Sequence, residues 1–204
     1  MYALVIDNTI NQIITSPKSL VIGDVRYPAK IFQVWTKAEK EAIGLYEVVT
    51  DLSNFKDEEY YFNTNEQYNF ADGQVTRSWG TATAKILEDQ NEVDDDGNNI
   101  LDDDGNPVIY YGLKTKKKKI IKQQAASLLA PTDWYVVKAT EVEDYSVPSN
   151  ITTFRADVRA KSNEMETAID NVADADALKN LYTYTKQEDG SVTRPLGEFP
   201  ILED

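Results

Sequence analysis

The hydrophobic period changes once along this chain. Up to about residue 87 the apolar residues fall in short β-branched and aromatic runs broken by turn residues. From Leu113 they recur at the three-to-four-residue spacing of a helix. Between the two lies Glu88–Asp104, a tract with nine acidic residues. A strand period and a helix period on either side of a turn-rich tract restrict the chain to an α+β architecture. The expected parts are a β-rich N-terminal domain over 1–87, acidic Asp-Gly-Asn hairpins over 88–112, a helical module over 113–182 and an extended C-terminal tail over 183–204.

The first part reads as strand, turn, strand from Tyr2–Ile6 through Asp7-Asn8 to Ile10, Ile13 and Ile14. Ser16-Pro17 breaks the second strand, and a loop leads to Tyr27-Pro28. Ile31–Trp35 is apolar and β-prone. Thr36 sits three residues before Glu39, the spacing of a capping box, which predicts a helix over Lys37–Ile43. Gly44 is the residue that closes it with positive φ. Strands are expected at Leu45–Val49 and from Tyr60, then a hairpin around Asp72-Gly73 that ends at Trp79.

The acidic tract contains an internal repeat, DDDGNNI at Asp94–Ile100 and DDDGNPV at Asp102–Val108, offset by eight residues. Each copy supplies Asp-Gly-Asn turn chemistry followed by a β-branched residue, which predicts small hairpins or a projecting loop. A calcium loop is the competing reading. With Gly97 as the sixth position, Glu92, Asp94 and Asp96 fill the first, third and fifth and Asp103 the twelfth, but Asn99 stands where an apolar residue belongs. The frame on Gly105 starts at Ile100 and fails. Solvated acidic turns are the expectation.

The lysines from Lys114 to Lys119 open the next helix, where the positive end of the dipole disfavours cations. They are expected to face an acidic neighbour, either the Asp repeat or a partner surface, and not nucleic acid, since no aromatics interleave them. Ile120, Ile121, Ala125, Leu128 and Leu129 form the apolar stripe, and Pro131 ends it. Asp133–Val137 reads as a short apolar segment. Pro148 precedes a further helix, capped by Ser149 or Asn150, with a stripe of Ile151, Phe154, Val158, Met165 and Ile169. Asp174 caps a last short helix holding Leu178 and Leu181. Asp133 can pair with Arg155 or Arg159 and fix a helical hairpin, with Trp134 packed into the angle.

The chain has no Cys and no His. Disulfides, thiolate nucleophiles, Ser–His–Asp and Cys–His catalysis are thereby excluded. Carboxylate-only chemistry stays open, but no spacing singles out a pair among 35 acids. Trp35, Trp79 and Trp134 read as core or interface anchors ahead of sugar platforms. The net charge of -14 repels nucleic acid and anionic membrane. No apolar run approaches the ~20 residues of a membrane helix, and the N-terminus lacks the pattern of a cleaved leader. No cofactor is expected.

Leu128-Leu129-Ala130-Pro131-Thr132-Asp133-Trp134, then Pro148, then Thr153-Phe154-Arg155-Ala156-Asp157-Val158-Arg159 resembles the C-terminal module of the phage tail assembly chaperone family. The opening MYALV and the Asp-Gly-Asn turns running into Tyr-Gly-Leu-Lys are similar to small phage tail proteins. Phe154 stands where Tyr is commoner, and Tyr-Val-Val follows Trp134 where a polar residue is commoner. The resemblance implies a non-enzymatic tail protein that assists tail or fibre assembly through contacts with tail or fibre subunits. It implies the host cytoplasm during assembly, or the virion tail, as location. A retained structural subunit and a glycan-binding or hydrolytic component are the alternatives, and a homo-oligomer stays open.

Overall fold

The computed structural model describes residues 1–203. The chain divides into two compact units, Met1–Thr83 and Ala84–Asp204. The division falls within a two-residue strand, β9 (Thr83–Ala84), and leaves Ile86 and Leu87 with the helical unit.

The first unit is built on a five-stranded sheet. Its strands are β1 (Tyr2–Ile6), β2 (Thr9–Ile14), β5 (Leu45–Thr50), β7 (Gln67–Ala71) and β8 (Gln74–Ser78), in the order β2-β1-β5-β8-β7. β1 pairs antiparallel with β2 and β5, β5 runs parallel to β8, and β8 turns back antiparallel onto β7. Both hairpins turn on two consecutive residues of positive φ, Asp7-Asn8 and Asp72-Gly73, the geometry that matches strand twist. The edge strands β2 and β7 come within 8 Å of each other, so the sheet curls towards closure. One face buries Ala3, Val5 and Val75 with Tyr46, Tyr68 and Phe70 against them. The other buries Leu4, Ile14, Leu20, Ile31, Phe32 and Leu45. Alternation along β1 thus feeds two cores from one strand.

The expected capping box is present. The Glu39 backbone N–H donates to Thr36 Oγ1 at 3.3 Å, and the Thr36 N–H donates to the Glu39 carboxylate at 2.8 Å. It opens helix α2 (Lys37–Glu41). Gly44 takes a φ of 79° and approaches so closely that a Cβ there would lie 2.3 Å from the Val5 carbonyl oxygen.

Two readings of this unit need correction. Ile31–Val34 is not a strand but a helical turn, α1. The two buried residues are adjacent, Ile31 and Phe32; a helix can point both inward, whereas a strand would send one to each face. The loop before Tyr27 contains a hairpin, β3 (Leu20–Ile22) and β4 (Val25–Tyr27), turning on Gly23-Asp24. Two-residue Gly-Asp loops are a hairpin signal. A further short strand, β6, covers Tyr61–Phe62.

In the second unit a short hairpin of β10 (Gln90–Asn91) and β11 (Ile109–Tyr110) carries the repeat. Both copies adopt the same turn. Asp94 Oδ1 accepts from the N–H of Asp96 at 3.0 Å and of Asn98 at 2.8 Å. Asp102 Oδ1 accepts from Asp104 and Asn106 at the same two distances. These backbone donors, Asn98 and Asn106 foremost, hold both carboxyls below the usual Asp range. An NMR pH titration of the side-chain carboxyls is expected to find both depressed. The unfolded chain binds those protons more readily, so the contribution to stability is present at neutral pH and is lost as pH falls through the depressed values. Ordinary Asp values would show that the turns do not form.

Helices α3 (Leu113–Leu129), α4 (Asp133–Glu141), α5 (Ser149–Asp170) and α6 (Ala175–Tyr182) complete the unit. α3 and α5 pack on one another, burying Ile121 and Ala125 from one and Ile151, Phe154, Val158, Met165 and Ile169 from the other. The expected stripe of α5 is buried throughout, and Ser162 fills the position the apolar pattern skips. Asp174 caps α6 by accepting the Ala177 N–H at 2.7 Å. Pro148, not Ser149 or Asn150, stands at the N-cap of α5.

The tail also departs from expectation. Thr185–Lys186 and Val192–Thr193 pair as β12 and β13. The chain then returns: Leu196 is buried, its N–H donates to the Leu181 carbonyl, and Phe199 packs on Ala125, Phe154 and Val158. Leu196 and Phe199 cover the unit's own helices, whereas Tyr184, Val192 and Ile201 stay exposed.

Candidate functional site

The start of α3 shows where the lysines go. Gly112, its N-cap, has no side chain to offer, and the strap Ile86–Asp89 takes over the capping. The Leu113 N–H donates to the Ile86 carbonyl at 2.9 Å and the Lys114 N–H to Leu87 at 3.1 Å. Asp89 Oδ1 accepts the Gly112 N–H at 2.8 Å, placing a carboxylate on the positive helix end. Lys114 donates to Glu88 at 2.6 Å and to the Asp170 carbonyl at 2.9 Å. One and two turns on, Lys118 pairs with Asp170 at 2.7 Å and Lys122 with Glu166 at 3.2 Å. Asp170 raises the Lys118 ammonium above its ordinary value through that hydrogen bond. Lys116 lies 4.5 Å from the centre of the Tyr110 ring and Lys117 4.2 Å from that of Tyr182. The acidic neighbour is therefore the strap and the end of α5, not the Asp repeat.

At the other end of α3 a 3-10 turn, Ala130–Thr132, leads into α4. Arg155, nearly two turns into α5, reaches this joint. Its Nη1 donates to the Leu129 carbonyl at 3.1 Å and to Thr132 Oγ1, and it forms an ion pair with Asp133 Oδ1 at 2.8 Å. Thr132 is buried, and its hydroxyl donates a hydrogen bond to the Leu129 carbonyl at 2.7 Å. One guanidinium thus fastens the end of α3, the turn and the start of α4 to α5. Of the two pairings the sequence left open for Asp133, the structure forms the one with Arg155. Arg159 takes no part; it donates to the Arg155 carbonyl at 3.2 Å and stays exposed. Phe154 is buried beneath the joint with Ala125 and Val158.

α4 is the unexpected element. The apolar segment after Asp133 is a helix with no buried residue. Trp134 does not pack into an interhelical angle: it is 52% exposed, with Val136 at 40% and Val137 at 52%. Its ring lies against Tyr135, with 3.9 Å between centroids. Lys138 covers Tyr145 at 4.3 Å. The helix signal was present as Pro131-Thr132-Asp133, a proline in the 3-10 turn that leads in and a carboxylate at the N-terminus. Thr132, which shares the guanidinium, was missed because nothing in the sequence marks a buried hydroxyl.

Trp35 and Trp79 belong to the first unit and are engaged in packing. Trp35 meets Tyr27 edge-on at 5.7 Å, and Trp79 is buried between Phe55 at 4.7 Å and the Arg77 guanidinium at 4.4 Å. Among the described residues no three acidic side chains gather as a metal site would need. No helix of the described residues is long and apolar enough to cross a membrane. What the joint offers chemically is a rigidly seated helix with an apolar outer surface.

No protein-family model matches the chain, and neither curated proteins nor solved structures give a match.

Proposed function

We propose that this chain is a non-enzymatic protein of a tailed bacteriophage that assists tail or tail-fibre assembly through protein–protein contacts made by α4. The observation that carries the reading is that α4 has no fully buried residue and displays Trp134, Val136 and Val137, yet is fastened at its base by Arg155. Nine residues are too few to hold a helix in water by propensity alone. Such a helix, carrying Trp134 and Val137 one turn apart in solvent, has the anchor composition of a protein interface. The phage context is supported by the resemblance carried on Leu128–Trp134 and Thr153–Arg159. Trp35 and Trp79 lend no support to a glycan platform, because both are engaged in packing.

Quantitative mass spectrometry of purified particles and of the producing lysate tests the reading. Abundance in the lysate, recovery with a tail or fibre subunit and absence from particles support an assembly factor. Stoichiometric presence in particles makes the chain a virion subunit instead. Recovery with no tail protein in either fraction overturns both. With a recovered subunit in hand, Trp134→Ser combined with Val137→Ser is expected to weaken its binding at least tenfold, by about 1.4 kcal/mol or more. The same change should leave stability within about 0.5 kcal/mol, as these side chains are exposed.

A further inference from the structure

The repeat closes into a ring. The Ile100 N–H donates to the Glu92 carbonyl at 2.9 Å, the Val108 N–H to Ile100 at 2.8 Å, and the Glu92 N–H to Val108 at 2.8 Å. Residues eight apart thus bond head to tail around a closed cycle. Three antiparallel pairs radiate from it: Val93 with Asn99, Leu101 with Pro107, and Ile109 with Asn91. The two Asp-Gly turns are two leaves of a three-leaved platform, and the β10–β11 hairpin is the third.

Equivalent positions around such a ring share a face. Val93, Leu101 and Ile109 therefore lie together on one side, and Asn91 and Asn99 confirm it by bonding across two leaves at 3.4 Å. All three apolar side chains are exposed, at 54%, 56% and 37%. Three aliphatic groups in water on a backbone held by its own hydrogen bonds form a docking face that the fold does not use.

We infer that this face docks a basic protein surface: apolar side chains at its centre, Lys and Arg at its rim. The occupant follows from charge. From Ile86 to Leu113 there are nine acidic residues and no basic one. Asp94 and Asp102 are turned onto their own leaves, but Asp95, Asp96, Asp103 and Asp104 stand exposed at the tips. A second copy would bring like charge against like charge, and nucleic acid lacks both the positive sign and the apolar centre. The inference deepens the protein–protein reading above and rests on it only in taking the partner to be a protein.

The full chain with labelled methyl groups should be titrated with a synthetic helical peptide of Leu and Lys, and with the same peptide in which Ser replaces every Leu. The Leu peptide is expected to shift the methyls of Val93, Leu101 and Ile109. Leu101→Ser and Val93→Ser, each tested alone, should weaken it about tenfold with an unchanged amide spectrum, since a buried aliphatic side chain contributes about that factor. The Ser peptide should bind at least as weakly as the Leu peptide does to these variants. Equal binding of both peptides, or indifference to Leu101→Ser, would show attraction of any polycation to the acids and overturn the proposal. So would concentration-dependent dimerisation abolished by Leu101→Ser, which makes a second copy the occupant. Trp134→Ser should leave these shifts unchanged, so failure here and failure of the α4 reading are told apart.

Discussion

Gly112→Ala is expected to destabilise the second unit by about 3 kcal/mol. The glycine's own dihedrals, φ -72° and ψ 176°, suit any residue, so the cost is steric and not conformational. A Cβ at this position would lie 2.2 Å from the Leu87 carbonyl oxygen and 2.5 Å from that of Glu88. Both are backbone atoms, so no side chain can swing aside. The strap must lift, and with it go the hydrogen bonds that cap the N–H groups of Gly112, Leu113 and Lys114. Uncapped helix donors cost about 1 kcal/mol each. Denaturant unfolding with hydrogen exchange of the Leu113 and Lys114 amides checks this. Gly97→Ala, where a Cβ meets nothing within 4 Å but φ is 85°, should cost only the ~1 kcal/mol of left-handed strain. Equal losses at the two glycines would mean that the strap is not seated.

Arg155→Met is expected to cost about 2–3 kcal/mol and to free α4 from the rest of the module. Met keeps the aliphatic stem over the joint but removes every donor. The Thr132 hydroxyl, buried, loses the donor that serves it, and Asp133 loses its ion pair. Arg155→Lys should recover part of the loss, because all three contacts run from the single nitrogen Nη1 and an ammonium also presents its donors from one nitrogen, on a shorter stem. Arg159→Met, which among the described residues bonds only to its own helix, should stay within about 0.5 kcal/mol. The distinguishing readout is Trp134. Its indole resonance should sharpen towards a random-coil position in Arg155→Met while α3 and α5 remain folded. Loss of α4 order without loss of partner binding would sever the proposed link between the joint and function.

What could be read from the sequence was what short-range chemistry decides. The Thr36–Glu39 box, the Asp72-Gly73 hairpin, the Asp174 cap and the α5 stripe each depend on residues a few positions apart. The α+β division followed from the same local periods. The misread elements were those decided by distant partners. Ile31–Val34 is β-prone in isolation and becomes helical because two neighbouring side chains must enter one core. The tail lacks a pattern of its own, yet Leu196 and Phe199 find cover on helices from earlier in the chain. The Lys run pointed to an acidic neighbour, but only the antiparallel packing of α3 on α5 selects Asp170 and Glu166 over the nearer Asp repeat. At the candidate site, Asp133 and Arg155 were legible as complementary charges, while the exposure of Trp134 was not. An apolar run looks the same whether it will be buried or displayed.

The ring at Glu92, Ile100 and Val108 also bears on how this tract can change over generations. Removing Asp94–Leu101 would join Val93 directly to Asp102 and set Val93 opposite Pro107, in register with the pairing of Asn91 and Ile109. The product is an ordinary longer hairpin with its root untouched. Loss of a single residue, by contrast, would turn side chains to the wrong face and open the cycle. The tract can therefore shorten by one whole octet and keep its root in register, whereas a step of any odd number of residues reverses the faces of its side chains.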